Sequence, residues 1–212
     1  MSDIYVFGDS HAWNGWLQWP VWQIHPSRVI IYHMGPVLAH TVGAKGIERM
    51  NLKDHSTIKS GDIAVFSFGE IDCRAHVSRH IQLPERPHQV IIDEIVSKYF
   101  ECIKLNADHY DPENPLQIWV YSVPPPAYNE LICEKDKFPV SASDEERKQY
   151  ALYFNSKIRE YCKRYSYGFF DVYDAYADEN GMLNRELSDG TVHIRDSRFI
   201  IEFIRANIVL QD

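Results

Sequence analysis

No apolar run in this chain approaches the roughly 20 residues needed to span a bilayer. Nor is there a charged-then-apolar leader, because Met1-Ser2-Asp3 passes directly into the strand-like Ile4-Tyr5-Val6-Phe7. A cytoplasmic protein is expected on that basis. Positive charge is also in short supply: 22 Lys and Arg against 30 Asp and Glu leave a net charge of -8. Nucleic acid and anionic membrane surfaces both need clustered cations, so neither is expected as a partner, and a neutral or weakly charged small molecule is. Cysteine is sparse and dispersed, at Cys73, Cys102, Cys133 and Cys162, with no CxxC pair. A disulfide scaffold is therefore excluded and reduced thiols are expected, with Cys102 and Cys162 on buried helix faces. There is no HExxH pattern, internal repeat, low-complexity tract or interdomain linker. One domain covering residues 1–212 is the natural reading, since this length suits one core and is short for two.

What the chain does contain is a rhythm of short apolar runs separated by amphipathic stretches. The runs are Ile4 to Phe7, Val29 to Tyr32, Ile63 to Phe68, Ile118 to Tyr121 and Phe169 to Val172, and they predict five buried strands. Between them Val90, Ile91, Ile95, Val96, Tyr99, Phe100 and Ile103 recur at helical spacing. A second helix is predicted from Ser143, where Glu146 completes a capping box and Tyr150, Tyr153, Phe154, Ile158 and Tyr161 form the buried stripe. A third begins near Asp196 and presents Phe199, Ile200, Phe203, Ile204 and Ile208. Strands alternating with helices predict an α/β fold, a parallel sheet covered on both faces. Ligands of such sheets bind beyond the carboxyl ends of the strands, which gives weight to the loops that follow them.

The first strand runs into Gly8-Asp9-Ser10-His11, placing a hydroxyl at a strand's carboxyl end beside a turn-permitting glycine. Serine becomes a nucleophile only when a base takes its proton, and a histidine that is neutral near pH 7 suits that task. Of ten histidines, His193 is the best candidate, because it follows the last strand and precedes the last helix with Asp189 close by. His11 ranks second as base and is a candidate to line the pocket. Asp9 is expected to anchor its turn.

These blocks resemble those of the SGNH, or GDSL-type, hydrolase superfamily. Gly8-Asp9-Ser10 matches the first block, Gly35 the following glycine, Gly69-Glu70-Ile71-Asp72 the Gly-x-Asn-Asp block, and Asp189 with His193 the final one. The resemblance implies a flavodoxin-like three-layer α/β/α sandwich with a five-stranded parallel sheet. It further implies a shallow ester-cleaving site without metal or organic cofactor, and backbone N–H groups of Ser10 and Gly35 that hold the oxyanion.

Two positions depart from that pattern. Ile71 stands where the family carries an oxyanion-donating asparagine, and an isoleucine side chain donates nothing. Arg74 is the candidate replacement, having several donors on a guanidinium that leaves the same strand end. Asp189 lies four residues before His193 rather than three, the usual place being taken by Gly190. Asp72 and Arg74 are read either as substrate-binding groups or as a salt bridge with each other. His76, His80 and His88 are read as belonging to a solvated loop broken by Pro84 and Pro87, not to a metal site. Trp13, Trp16, Trp19 and Trp22 suit a packed face or a sugar-stacking platform. The substrate expected is a small acyl group, such as acetyl, on a carbohydrate or other polar alcohol. An O-acyltransferase and a catalytically degenerate glycan-binding module remain as alternatives, and the oligomeric state is left open.

Overall fold

The computed structural model describes residues 2–16, 28–81, 86–132, 138 and 140–208. Five parallel strands, β1 (Ile4–Gly8), β2 (Val29–His33), β3 (Ile63–Ser67), β4 (Gln117–Tyr121) and β5 (Gly168–Phe170), pair in the order β2-β1-β3-β4-β5. All five expected strands form, with ends shifted by one or two residues. Strand direction reverses its sideways progress between β1 and β3, which makes the carboxyl ends of those two strands the natural place for a ligand.

Side chains alternate across the sheet and feed two separate cores. Tyr5, Phe7, Ala64, Phe66, Ile118 and Val120 face one side, and Ile4, Val6, Ile63, Val65, Tyr121 and Phe170 face the other. Among the described residues eight α-helical segments follow in chain order: α1 (Ser10–Asn14), α2 (Ala39–Lys45), α3 (Leu52–His55), α4 (Val77–Ile81), α5 (His88–Ala107), α6 (Asp144–Tyr165), α7 (Tyr173–Tyr176) and α8 (Arg198–Asn207). Helices α2, α5 and α6 cover the first face through Val42, Ile95, Tyr99, Phe154 and Ile158. Helices α1 and α8 cover the second through Ala12, Ile200, Ile201 and Ile204. The fold is thus the expected three-layer sandwich.

Local chemistry explains the helix boundaries. Ser143 accepts from the Glu146 amide while Glu146 reaches back to the Ser143 amide, so the capping box starts α6 where the sequence places it. Burial of Ile200, Ile201 and Ile204 holds α8 on the sheet, each apolar side chain contributing about 1.5–3 kcal/mol. In α5 the stripe runs from Ile91 onward, whereas Val90 is exposed on the opposite face.

Several expectations are corrected. The segment before Pro84 is not a loop: Asp72–His76 winds as a π-helical turn that continues into α4 through Ile81. A proline disfavours helical conformation at the residue before it and leaves residues further upstream free to coil. The ring of His76 packs between those of His40 of α2 and His80, whereas His88 packs on Tyr150 and Tyr153. Among the described residues no group of His, Cys, Asp or Glu has metal-holding geometry, and no helix is long and apolar enough to cross a membrane. Trp16 is fully buried against Tyr121 and Phe170, while Trp13 is exposed beside His33. Trp19, Trp22, Pro84 and Cys133 lie outside the described residues. Cys73, Cys102 and Cys162 are buried free thiols.

Candidate active site

The site begins with a glycine. A Cβ on Gly8 would lie 2.3 Å from the Ser67 carbonyl oxygen and 2.7 Å from the Cβ of Ala12, so only glycine lets α1 start directly on the end of β1. Asp9 caps that helix by accepting the His11 amide at 2.9 Å. Ser10, the first helical residue, then stands at the mouth of a cleft of about 470 Å³.

The opposite wall comes from the loop between β5 and α8. The Asp189 amide donates to the His193 carbonyl at 3.0 Å, and Gly190 takes a left-handed φ of 90° between them. This tight turn absorbs the extra residue and brings the Asp189 carboxylate to 3.1 Å from His193 Nδ1. On the other side of the ring, Nε2 lies 3.0 Å from Ser10 Oγ. Thr191, which the sequence reading missed, donates to Asp189 through its amide at 2.8 Å and its hydroxyl at 2.7 Å. Burial raises the Asp189 carboxyl, but the two Thr191 bonds and His193 outweigh it and hold Asp189 below the usual carboxylate range. An ionised Asp189 places the ring proton on Nδ1 and turns the Nε2 lone pair toward Ser10. Burial first, and then the charge of His11, lower the His193 pKa, against a raising influence from Asp189.

The third segment follows β3. Ile71 and Arg74 both line the cleft, but Arg74 does not pair with Asp72. Its Nε donates to both oxygens of Glu70, at 2.9 and 3.1 Å, and both side chains are buried. Burial raises the Glu70 carboxyl, yet Arg74 and then His11 bring it below its ordinary value. The Arg74 guanidinium also sits over the ring of Phe138, 5.5 Å from its centre.

Two residues expected to bind substrate are elsewhere. Asp72 is wholly buried and accepts the Ala39 amide at 2.7 Å and the His40 amide at 3.1 Å, tying the end of β3 to the start of α2. Burial pushes its carboxyl up to about 7 despite those two donors. His11 is also buried, its ring turned from the cleft toward Asp9 and the Val192 carbonyl. Gly35 has a left-handed φ of 78° and stands next to Pro36 of the cleft wall. Its N–H meets no protein acceptor among the described residues. Asn14, His33 and Ile132 complete the wall and were not singled out from sequence. A hydroxyl at a sequence spacing of two from a base was visible at Thr191, whereas Asn14 and Ile132 carried no signal.

A hydroxyl, an imidazole and a carboxylate in line at the strand ends of a parallel α/β/α sandwich define the class: a sandwich carrying a Ser-His-Asp constellation at its topological switch point. More particularly, the fold is that of the SGNH, or GDSL-type, hydrolases. No family model and no curated protein matches the chain. Solved structures do. A protein from Streptococcus pneumonia designated a platelet activating factor superposes with a TM-score of 0.67 at 16% identity, over 98% of this chain and 84% of that one. An acylhydrolase from Bacteroides fragilis gives 0.61 at 12% identity, over 95% and 83%. A GDSL-like lipase from Bacteroides thetaiotaomicron gives 0.59 at 14%, over 95% and 84%. At these identities the likeness is one of fold.

Proposed function

We propose that the chain is a serine esterase of SGNH type that removes a small acyl group, acetyl in the first instance, from a carbohydrate or other polar alcohol. The observation that carries this reading is the line Ser10 Oγ, His193 Nε2, His193 Nδ1 and Asp189 Oδ2, with contacts of 3.0 and 3.1 Å. Ser10 attacks the ester carbonyl as His193 takes its proton, and His193 then returns that proton to the departing alcohol. Water, activated by the same imidazole, releases the acid from the acyl-enzyme. The oxyanion is received by the N–H groups of Ser10 and Gly35 and by the Arg74 guanidinium, in place of the side chain that Ile71 lacks.

A small acyl group fits the apolar part of the cleft formed by Ile71, Ile132 and Val192, and Asn14 and His33 offer polar contacts to an alcohol. A reducing compartment such as the cytoplasm suits Cys73, Cys102 and Cys162, which stand as separate thiols. The test is covalent labelling by a fluorophosphonate together with turnover of acetylated sugars and p-nitrophenyl acetate. Label on Ser10, with turnover abolished in Ser10→Ala, is expected. An intact, folded protein that neither takes the label nor releases acid from any short acyl ester would rule the esterase out and favour a binding module. Acetyl transfer to an added sugar in preference to water would reassign it as an acyltransferase.

A further inference from the structure

His11 adjoins the proposed nucleophile in sequence but faces the interior. Its Nε2 lies 3.2 Å from the Val192 carbonyl oxygen, and a carbonyl only accepts, so Nε2 carries a proton. Its Nδ1 lies 3.1 Å from Asp9 Oδ1 and 4.0 Å from Glu70 Oε2. Asp9 has no other donor among the described residues than the amide and ring of His11, and its second oxygen is buried without a partner. Around this ring stand Asp9 from the β1–α1 turn, Glu70 and Arg74 from the end of β3, and His193 from the C-terminal loop, whose ring centre is 5.0 Å away. Arg147 of α6, also wholly buried, acts on Glu70, and Asp72 from the end of β3 acts on Asp9. With an acceptor facing each ring nitrogen, His11 is placed to hold a proton on both, as a cation among these carboxylates.

We propose that His11 is that cation and acts as a positioning residue, an imidazolium that clamps the Val192 carbonyl and thereby carries the neighbouring His193 to Ser10, with its charge set against the back of the His193 ring. Burial by itself lowers the His11 pKa, but Glu70 and then Asp9 more than reverse this. A fixed positive charge there opposes protonation of His193, so the base stays neutral, and the esterase active, in mildly acidic solution. The second part of this inference rests on the esterase reading, but the protonation states do not.

The test therefore starts without substrate. In nitrogen-15 NMR of the full chain between about pH 5 and about pH 8, both ring nitrogens of His11 stay protonated while His193 titrates. In His11→Gln, which keeps a neutral donor for Val192, the His193 midpoint rises by about 0.5–1 pH unit. The acid limb of kcat/KM on p-nitrophenyl acetate moves up by the same amount, with kcat reduced about tenfold at its plateau and KM little changed. His11→Phe removes clamp and charge together and lowers kcat further. A His11 that carries one ring proton at neutral pH in the unmodified protein would overturn the proposal even if no variant folded. So would a folded His11→Gln whose His193 midpoint does not move. A protein with the expected NMR behaviour and no ester turnover would sink the esterase reading alone.

Discussion

Arg74 turns its Nε onto Glu70, not onto the nearer-in-sequence Asp72, and so lies in the cleft wall as half of a buried, neutralised pair. A guanidinium whose charge is already balanced is a hydrogen-bond donor to a transient oxyanion more than an attractor of anionic substrates. Removing both charges by Glu70→Gln with Arg74→Met avoids leaving either one buried alone, which costs about 3–5 kcal/mol. That double variant is expected to stay folded and to lose about 10²-fold in kcat, with KM little changed. Adding Ile71→Asn to it should restore part of the loss. Steady-state kinetics on p-nitrophenyl acetate decide the matter.

Asp189 fixes which nitrogen of His193 carries the proton, and an amide there cannot enforce that choice. Asp189→Asn is expected to lower kcat by about 10²–10⁴-fold with little change in KM. Thr191→Val, which removes one of the bonds that keep Asp189 ionised, should give a smaller loss and shift the pH profile. Both are read from kcat and KM as functions of pH.

Asp72 is expected to matter for stability and not for substrate affinity. Its carboxyl has a folded pKa of about 7 against an ordinary 3.8, so the folded state holds its proton longer than the unfolded chain does. Below about pH 4 both states are protonated. As the pH climbs from there toward 7 the unfolded state is favoured, and stability falls through that window. Asp72→Asn turns an amide N–H₂ toward a backbone donor and costs about 1–3 kcal/mol near pH 5, a deficit that shrinks by pH 7.5 because asparagine does not titrate. Urea unfolding at the two pH values measures it.

Gly8 sets how closely α1 approaches the sheet. Gly8→Ala must push Ser67 or Ala12 aside, and a cost of about 1–3 kcal/mol in unfolding free energy is expected. Activity should fall further than stability alone explains, because Ser10 moves with the helix. Thermal melts and turnover on the same sample separate the two effects.

Much of this arrangement was legible in the sequence because its signals are local. Apolar runs give strands on any buried sheet, and Gly8-Asp9-Ser10 and Asp189 to His193 each lie on one short segment. One of the two readings of Arg74, a salt bridge with Asp72, fails for a definite reason. Taken as a loop, the segment made Asp72 its nearest acid, whereas in helical winding residues four apart share a face and residues two apart do not, so Glu70 is the partner. The same geometry turns His11 away from the cleft that its neighbour Ser10 enters. The tie from Asp72 to α2 and the packing of His40 on His76 depend on elements far apart in the chain, and no local pattern announces them.

Ser10 and His193 are 183 positions apart, and α8, which follows His193, packs on the same face of the sheet as α1. The sheet can collapse around its apolar strands well before that last contact forms, since closing so long a loop is among the slower steps of folding. Recovery of ester turnover during refolding would then lag behind recovery of the far-ultraviolet circular dichroism of the sheet and its long helices. The interval between the two signals is a clock for the docking of α8.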